Sequence, residues 1–241
     1  GIIKTINSWL KKDQKITITD ITIPPYKLKS SPDYSVINDT SRLSEFIKFG
    51  ALSMRKLYLE NKNEDEFIRK LIWRDFYYQS FISFDTYNGK IQEWDYTLEM
   101  YKKGDKNDNY IMWCSASTMV PFVDAGIQQL INTGYMDNRL RMITASYLIK
   151  NLKIDWRLGE LFFAKHLRDY DPIVNNYNWQ WVNGTGPSAQ RPNVVFNPYL
   201  QAKKYDNECE YMLTHLQNNP HYTNLLNDIH ALMEMNLTNK K

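Results

Sequence analysis

Asn138-Arg139-Leu140-Arg141-Met142-Ile143-Thr144-Ala145-Ser146-Tyr147-Leu148 sets apolar residues at 140, 143, 145 and 148. That spacing lays one face of a helix against a core, and the helix should stop near Asn151. Its neighbours share the rhythm. Val123, Ile127 and Leu130 predict a preceding helix ending near Gly134, and residues from Ile154 to Leu167 a following one. Upstream, Phe67, Leu71, Ile72 and Trp73, continuing to Phe76 and Tyr77, recur at helical spacing, and Ser53 reads as an N-cap with Leu57 four residues on. Glu208 to Lys241 reads as helical before fraying. Gly and Pro are scarce, nine each, which favours helices over a turn-rich β architecture. The expectation is a single all-α domain over residues 40–241, preceded by an arm and linker over 1–39. In that arm Ile16-Thr17-Ile18-Thr19-Asp20-Ile21-Thr22-Ile23 before Pro24-Pro25 reads as extended, and Ser30-Ser31-Pro32-Asp33 as loop. Two stretches break the helical pattern. Lys102 to Asn109 is polar and reads as an exposed loop. Asn175 to Pro198 is rich in Asn, Gly, Pro and Trp and reads as a long loop, of a length that is commonly functional.

The chain has 241 residues, 43% hydrophobic and 14% aromatic, with 30 Lys+Arg against 27 Asp+Glu and a net charge of +3. A chain of this size buries roughly 70–75% of its unfolded surface, so one sizeable core is expected. Intrinsic disorder is excluded, because it needs few aromatics and lopsided charge. No apolar run reaches the roughly 18 residues a membrane span requires. The start, Gly1-Ile2-Ile3-Lys4, has no secretory signal pattern, and without an initiator Met it reads as a processed or excised segment. Cys114 and Cys209 stand far apart with no CxxC or Cys/His spacing. Neither a zinc site nor a disulfide framework is expected, and a reducing compartment is the default. The small positive charge permits a local basic face and no more.

Four clusters could carry chemistry. Trp179-Gln180-Trp181, with Trp156 and Trp73 elsewhere, reads either as core packing or as an aromatic surface that stacks a flat ring. Arg139 and Arg141 lie two apart and so point to different sides of a helix. They are two solvated arginines, or one reaches a phosphate while the other turns inward to a carboxylate. Asp169-Tyr170-Asp171-Pro172 reads as a helix cap, or as acids that accept from ring N–H groups or pair with a buried Arg. Thr40-Ser41-Arg42-Leu43-Ser44 is an ordinary N-cap, or a phosphate site at a helix start.

In combination these residues resemble the FAD-binding helical domain of the DNA photolyase/cryptochrome family, from about Tyr26 to Tyr205. The resemblance rests on Thr40-Ser41-Arg42-Leu43-Ser44 followed by Lys48-Phe49-Gly50, and on Leu71-Ile72-Trp73-Arg74-Asp75-Phe76-Tyr77. It is strongest over Asn138-Arg139-Leu140-Arg141-Met142-Ile143-Thr144-Ala145-Ser146. Ile154-Asp155-Trp156-Arg157, Asn175-Asn176, Trp179-Gln180-Trp181 and Phe196-Asn197-Pro198 follow in family order.

The resemblance implies FAD as cofactor and damaged DNA carrying a pyrimidine dimer as partner. Thr40 through Ser44 would hold the pyrophosphate, with Arg74 and Tyr26 in support. Arg141 and Asp169 would pair beside the isoalloxazine, Asp171 would accept from the ring edge, and Asn175 would face flavin N5. An Asn there favours reduced or semiquinone flavin over oxidised. Trp73 and Trp181 would line the cavity for a flipped dimer. Asn138, Arg139, Lys70 and Gln201 would meet the lesion strand, with Met142 against the dimer. In the family, excited reduced flavin donates an electron to a cyclobutane dimer, the ring splits and the electron returns. Members that repair the (6-4) photoproduct carry His where Asn138 stands, so cyclobutane dimers are the implied substrate.

Three departures from the pattern stand out. Only about forty residues precede Thr40, so the family's N-terminal antenna domain and its pigment are not expected here; either a separate chain supplies that half or the sequence is cut from a longer one. Lys70 stands where dimer-repairing members carry Glu, three residues before the stacking Trp. The photoreduction chain would run from Trp179 to Trp156, but its distal position falls near Tyr101 to Lys103, without a Trp; Tyr101 or Trp94 are the substitutes. The alternative to a light-driven repair enzyme is a non-catalytic, cryptochrome-like photoreceptor or DNA-binding protein. Either is expected in an intracellular compartment that holds DNA, nucleus or cytoplasm.

Overall fold

A computed structural model describes residues 41–88, 104, 106–186, 189–191, 193–231 and 233. The arm over 1–39, Thr40, Tyr26, Trp94 and Tyr101 to Lys103 lie outside the described residues. The described chain is helical, with no strand among those residues.

Three helices come first: α1 (Ser44–Lys48), α2 (Met54–Glu60) and α3 (Asp65–Asn88). Ser53 caps α2, accepting from the Lys56 N–H, and Leu57 is fully buried one turn on, as its spacing requires. Leu43, Leu52, Leu57 and Leu71 close a small core of their own, flanked by Phe46, Ile47 and Phe67.

The main core is built by α4 (Asp108–Cys114), α5 (Pro121–Thr133), α6 (Asn138–Ser146), α7 (Trp156–His166), α8 (Pro172–Asn183), α9 (Pro198–Tyr205) and α10 (Glu210–Leu216). Gly134 ends α5 with φ of 70°, a left-handed turn that glycine adopts without steric cost. The helix opened by Asn138 widens into a π-turn over Tyr147–Asn151, so it stops where the sequence indicated. Asp137 caps its start, and Asp155 caps α7.

Three expectations are corrected. The stretch from Asn175 is not loop: α8 runs to Asn183, so both Trp179 and Trp181 are helical. Asp171 caps it, Pro172 fits its first turn, and Gly184 with φ of 94° ends it. Buried Asn175, Asn176, Tyr177, Trp179 and Val182 form an inward stripe that outweighs the weak helix propensity of Asn. Lys102 to Asn109 ends earlier than expected, because Asn107 accepts from the Tyr110 N–H and starts α4. The tail from Glu208 is helical only in pieces among the described residues: the short α10, then turns, a 3-10 turn at Leu226–Asp228 and helical residues 229–231, and Asn219 redirects the chain by donating to the Ala116 carbonyl. Among the described residues no helix is long and apolar enough to cross a membrane.

Candidate functional site

Between the small core and the main core lies a cavity of about 450 Å³, within the range of small-molecule and cofactor sites. Leu43, Ile47, Phe67, Leu71 and Tyr77 supply one wall, and Met136, Ala145, Phe163, Val174 and Trp179 the other. The lining is mainly apolar and aromatic, with a few polar groups set into it.

The strongest of these is the Arg141–Asp169 pair. From α6, Arg141 Nη2 donates to both carboxylate oxygens at 3.1 and 2.8 Å, and its Nε donates to the Met136 carbonyl at 2.8 Å. Asp169 is buried and Arg141 about a fifth exposed. The two-residue spacing resolves as the helix geometry demands: Arg141 turns inward, while the Arg139 guanidinium lies over the Tyr205 ring at 5.2 Å.

Asp171 gathers more partners than its capping role needs. One carboxylate oxygen accepts from the Ile173 and Val174 N–H groups. The other accepts from Arg74 at 2.9 Å and the Tyr78 hydroxyl at 2.6 Å, with Lys48 at 3.7 Å. Burial pushes its pKa up, but Tyr78, the Val174 N–H, Arg74 and Lys48 outweigh that and hold the carboxyl below its ordinary value. Both oxygens are engaged within the protein, so Asp171 ties α1 and α3 to the start of α8 rather than offering an acceptor for a ring edge.

Asn175, one turn further along α8, is buried and donates to Glu160 at 3.0 Å; Glu160 also accepts from the Tyr170 hydroxyl at 3.0 Å. An acid in an otherwise apolar helix segment, Leu158-Gly159-Glu160-Leu161-Phe162-Phe163, is the sequence signal for Glu160. Neither it nor Tyr78, one turn from Arg74, is among the residues expected at the site. Trp179 is 2% exposed, and its ring lies against Gly159, where a Cβ would come within 2.6 Å of Trp179 Cζ3 and 2.5 Å of Leu148 Cδ2. Only glycine permits that approach.

At the mouth stand Trp73, 42% exposed, and the partly buried Trp181, stacked on Phe196 with centroids 6.4 Å apart. Lys70, Asn138 and Met142 share this rim. Ser41, Arg42 and Ser44 also border the cavity, but not as the hydroxyl cap expected. The cap position of α1 is Leu43, 1% exposed, with no side-chain hydrogen bond, and Arg42 takes φ of 50°. Trp156, Arg139 and Gln201 do not line the cavity. Trp156 is buried at the start of α7. Gln201 sits on α9 with its Oε1 buried and unpartnered, the one such side-chain atom among the described residues.

The model of the FAD-binding domain of DNA photolyase matches residues 67–240. A deoxyribodipyrimidine photo-lyase of Alkalihalophilus pseudofirmus is 40% identical over 78% of this chain and 40% of its own length. One from Buchnera aphidicola is 37% identical over 85% of this chain and 44% of its own. Among solved structures, an archaeal photolyase from Sulfolobus tokodaii with two FAD molecules superposes with a TM-score of 0.67 at 36% identity, covering 85% of this chain and 47% of that one. The Synechocystis cryptochrome gives 0.59 at 30% identity, covering 76% of this chain and 40% of that one. The chain therefore spans about two fifths of the curated relatives it matches. Each relative carries the matched region within one longer chain, which gives no support to a separate antenna chain. With the matched model covering well over half the sequence, the chain belongs to the family of the FAD-binding domain of DNA photolyase, whose cofactor is FAD.

Proposed function

We propose that this chain uses FAD to repair cyclobutane pyrimidine dimers in DNA under light, by one-electron transfer to a dimer flipped into the cavity. The observation that carries this reading is one cavity bounded by the buried Arg141–Asp169 pair, by Asn175 and, at its open end, by Trp73 and Trp181. The residues fit the cofactor chemically. Trp179, Phe163 and Met136 offer an apolar wall for a flat ring, Arg141 a fixed positive charge, and Ser41, Ser44 and Arg74 polar groups on the side of the small core.

FAD, when bound and reduced, supplies light absorption and the transferable electron; the protein supplies position, polarity and exclusion of water. Asp169 fixes the Arg141 guanidinium so that its charge stays aimed beside the ring. Glu160 fixes the Asn175 amide as a donor. Trp73 and Trp181 stack the two flat faces of an extruded lesion, and extrusion costs least where damage has already weakened stacking. Asn138 and Met142 meet the lesion from the start of α6, Arg139 reaches the strand outside the cavity, and Gln201 is assigned there by resemblance alone. Asn138, where (6-4)-specific members carry His, supports cyclobutane dimers as substrate. A DNA substrate puts the chain in an intracellular compartment, nucleus or cytoplasm.

The test is the loss of thymine dimers from ultraviolet-irradiated DNA under blue light, with the chain loaded with reduced FAD. No repair above a dark control, with FAD demonstrably bound, overturns the reading. Lys70 on the cavity rim favours a second reading, a non-catalytic cryptochrome-like flavoprotein, since an ammonium donates but cannot accept a hydrogen bond. Under it, the natural chain is inert and Lys70→Glu restores repair.

A further inference from the structure

We propose that Tyr170 is a positioning residue that acts through Glu160 and Asn175 to make the cavity favour reduced over oxidised flavin. This role presupposes the flavin site of the proposed function, with Asn175 beside flavin N5. Tyr170 stands in the turn between α7 and α8, flanked by Asp169, which Arg141 holds, and by Asp171, which Arg74 and Tyr78 hold. With both neighbours pinned, its backbone has little freedom. Its hydroxyl reaches back to α7 and donates to Glu160 Oε1 at 3.0 Å. Asn175 Nδ2 donates to the same oxygen from α8, also at 3.0 Å. Glu160 is 1% exposed, and an acid so far from water depends on such donors.

Two donors on one oxygen fix a direction. A carboxylate accepts and does not donate, so the Asn175 amide turns its nitrogen, not its oxygen, toward Glu160. Asn175 borders the cavity and Glu160 does not, so Oδ1 is the end of the amide left to a bound ring. Reduced flavin carries a hydrogen on N5, and oxidised flavin only a lone pair there. Oδ1 accepts from the first and repels the second, whereas a flipped amide would reverse that preference. Tyr170 holds Oε1 where it is, and the amide orientation follows. No proton or electron passes through Tyr170 in this role.

The experiment titrates the full chain in the dark, without oxygen, with oxidised FAD and separately with chemically reduced FAD, and compares the two dissociation constants by calorimetry. Tyr170→Phe keeps the ring and should lower the preference for reduced over oxidised FAD roughly three- to tenfold, the weight of about one net hydrogen bond. A merely structural role would weaken both forms alike. Glu160→Gln, whose side chain donates as well as accepts, should lower the ratio in the same sense. In an Asn175→Ala background Tyr170→Phe should change the ratio no further, because no amide is left to orient. An unchanged ratio in Tyr170→Phe, or a change that persists in the Asn175→Ala background, overturns the proposal and leaves the flavin site standing. Thermal melts of the FAD-free variants show which keep the fold; should Tyr170→Phe lose it, an unchanged ratio in Glu160→Gln overturns the proposal equally. A chain that takes up neither form of FAD overturns both readings.

Discussion

Arg141 has to remain charged, inward and still, and Asp169 is the residue that makes this possible. Removing one partner of a buried ion pair strands the other. Arg141 keeps about a fifth of its side chain in contact with solvent, so Asp169→Ala should cost about 3 kcal/mol, the lower end for such pairs. Chemical denaturation measures it, and a variant of native stability would show that the pair is not the anchor argued here. At the mouth the weight falls on stacking. Trp181→Ala should weaken binding to dimer-containing DNA by about 1–3 kcal/mol, the usual worth of a base–aromatic stack, and leave binding to undamaged duplex nearly unchanged. An equal loss on both DNAs would remove Trp181 from lesion recognition. The family resemblance, not residue identity alone, implied these two roles. It did not announce Tyr78 or Glu160, because their importance comes from partners 93 and 15 residues away.

At the scale of elements, local signals carried far. Ser53, Gly134 and the stop near Asn151 fell where caps and periodicity put them. The stretch from Asn175 did not, since the Asp171-Pro172 start and the buried stripe outweigh the low helix propensity of its asparagines. The turn from α9 into α10 is organised by another acid. Asp206 accepts from the Tyr211 and Met212 N–H groups, yet burial raises its pKa to about 6 despite those bonds. Its folded value therefore exceeds its unfolded value of 3.8, and the folded state binds this proton more tightly. Acidification from pH 7 through 6 toward 4 should stabilise the fold through this group, on the order of 1–3 kcal/mol. Urea midpoints of the native chain and Asp206→Asn across that window check it. Identical pH profiles would mean that Asp206 keeps an ordinary affinity for its proton.

The whole molecule is two unequal cores clasped around a cavity. The clasp is largely polar: Asp171 holds Arg74, Tyr78 and Lys48, Arg168 pairs with Glu45 at 2.8 Å, and Arg42 lies over the Tyr135 ring. Tyr77 stacked on Tyr177 at 5.6 Å adds an apolar tie. The exposed Arg168–Glu45 pair is open to salt, and at 1 M the screening length falls to about 3 Å. Amide hydrogens of α2 and α3 should then exchange roughly two- to fivefold faster, matching the ~0.5–1 kcal/mol of such pairs, while those of α5 hold steady. Uniform acceleration in both regions, or none, would show that the clasp is not ionic.

The helices around Val123 to Asn151 and Ile154 to Leu167, the Ser53 cap, the Gly134 stop and the family were determined by the sequence itself, because periodicity and capping act over a few residues and the family's motifs keep their order. Only the tertiary structure decided what those residues meet. Asp171 turned from an expected ring acceptor into a clasp because Arg74 and Tyr78 arrive from 97 and 93 residues away. Trp113, silent in the sequence, meets both Trp179 and Tyr110 because α4 packs beside α7 and α8. Which acid finds which base, and which ring touches which, depends on how whole helices pack, and no local stretch of chain encodes that.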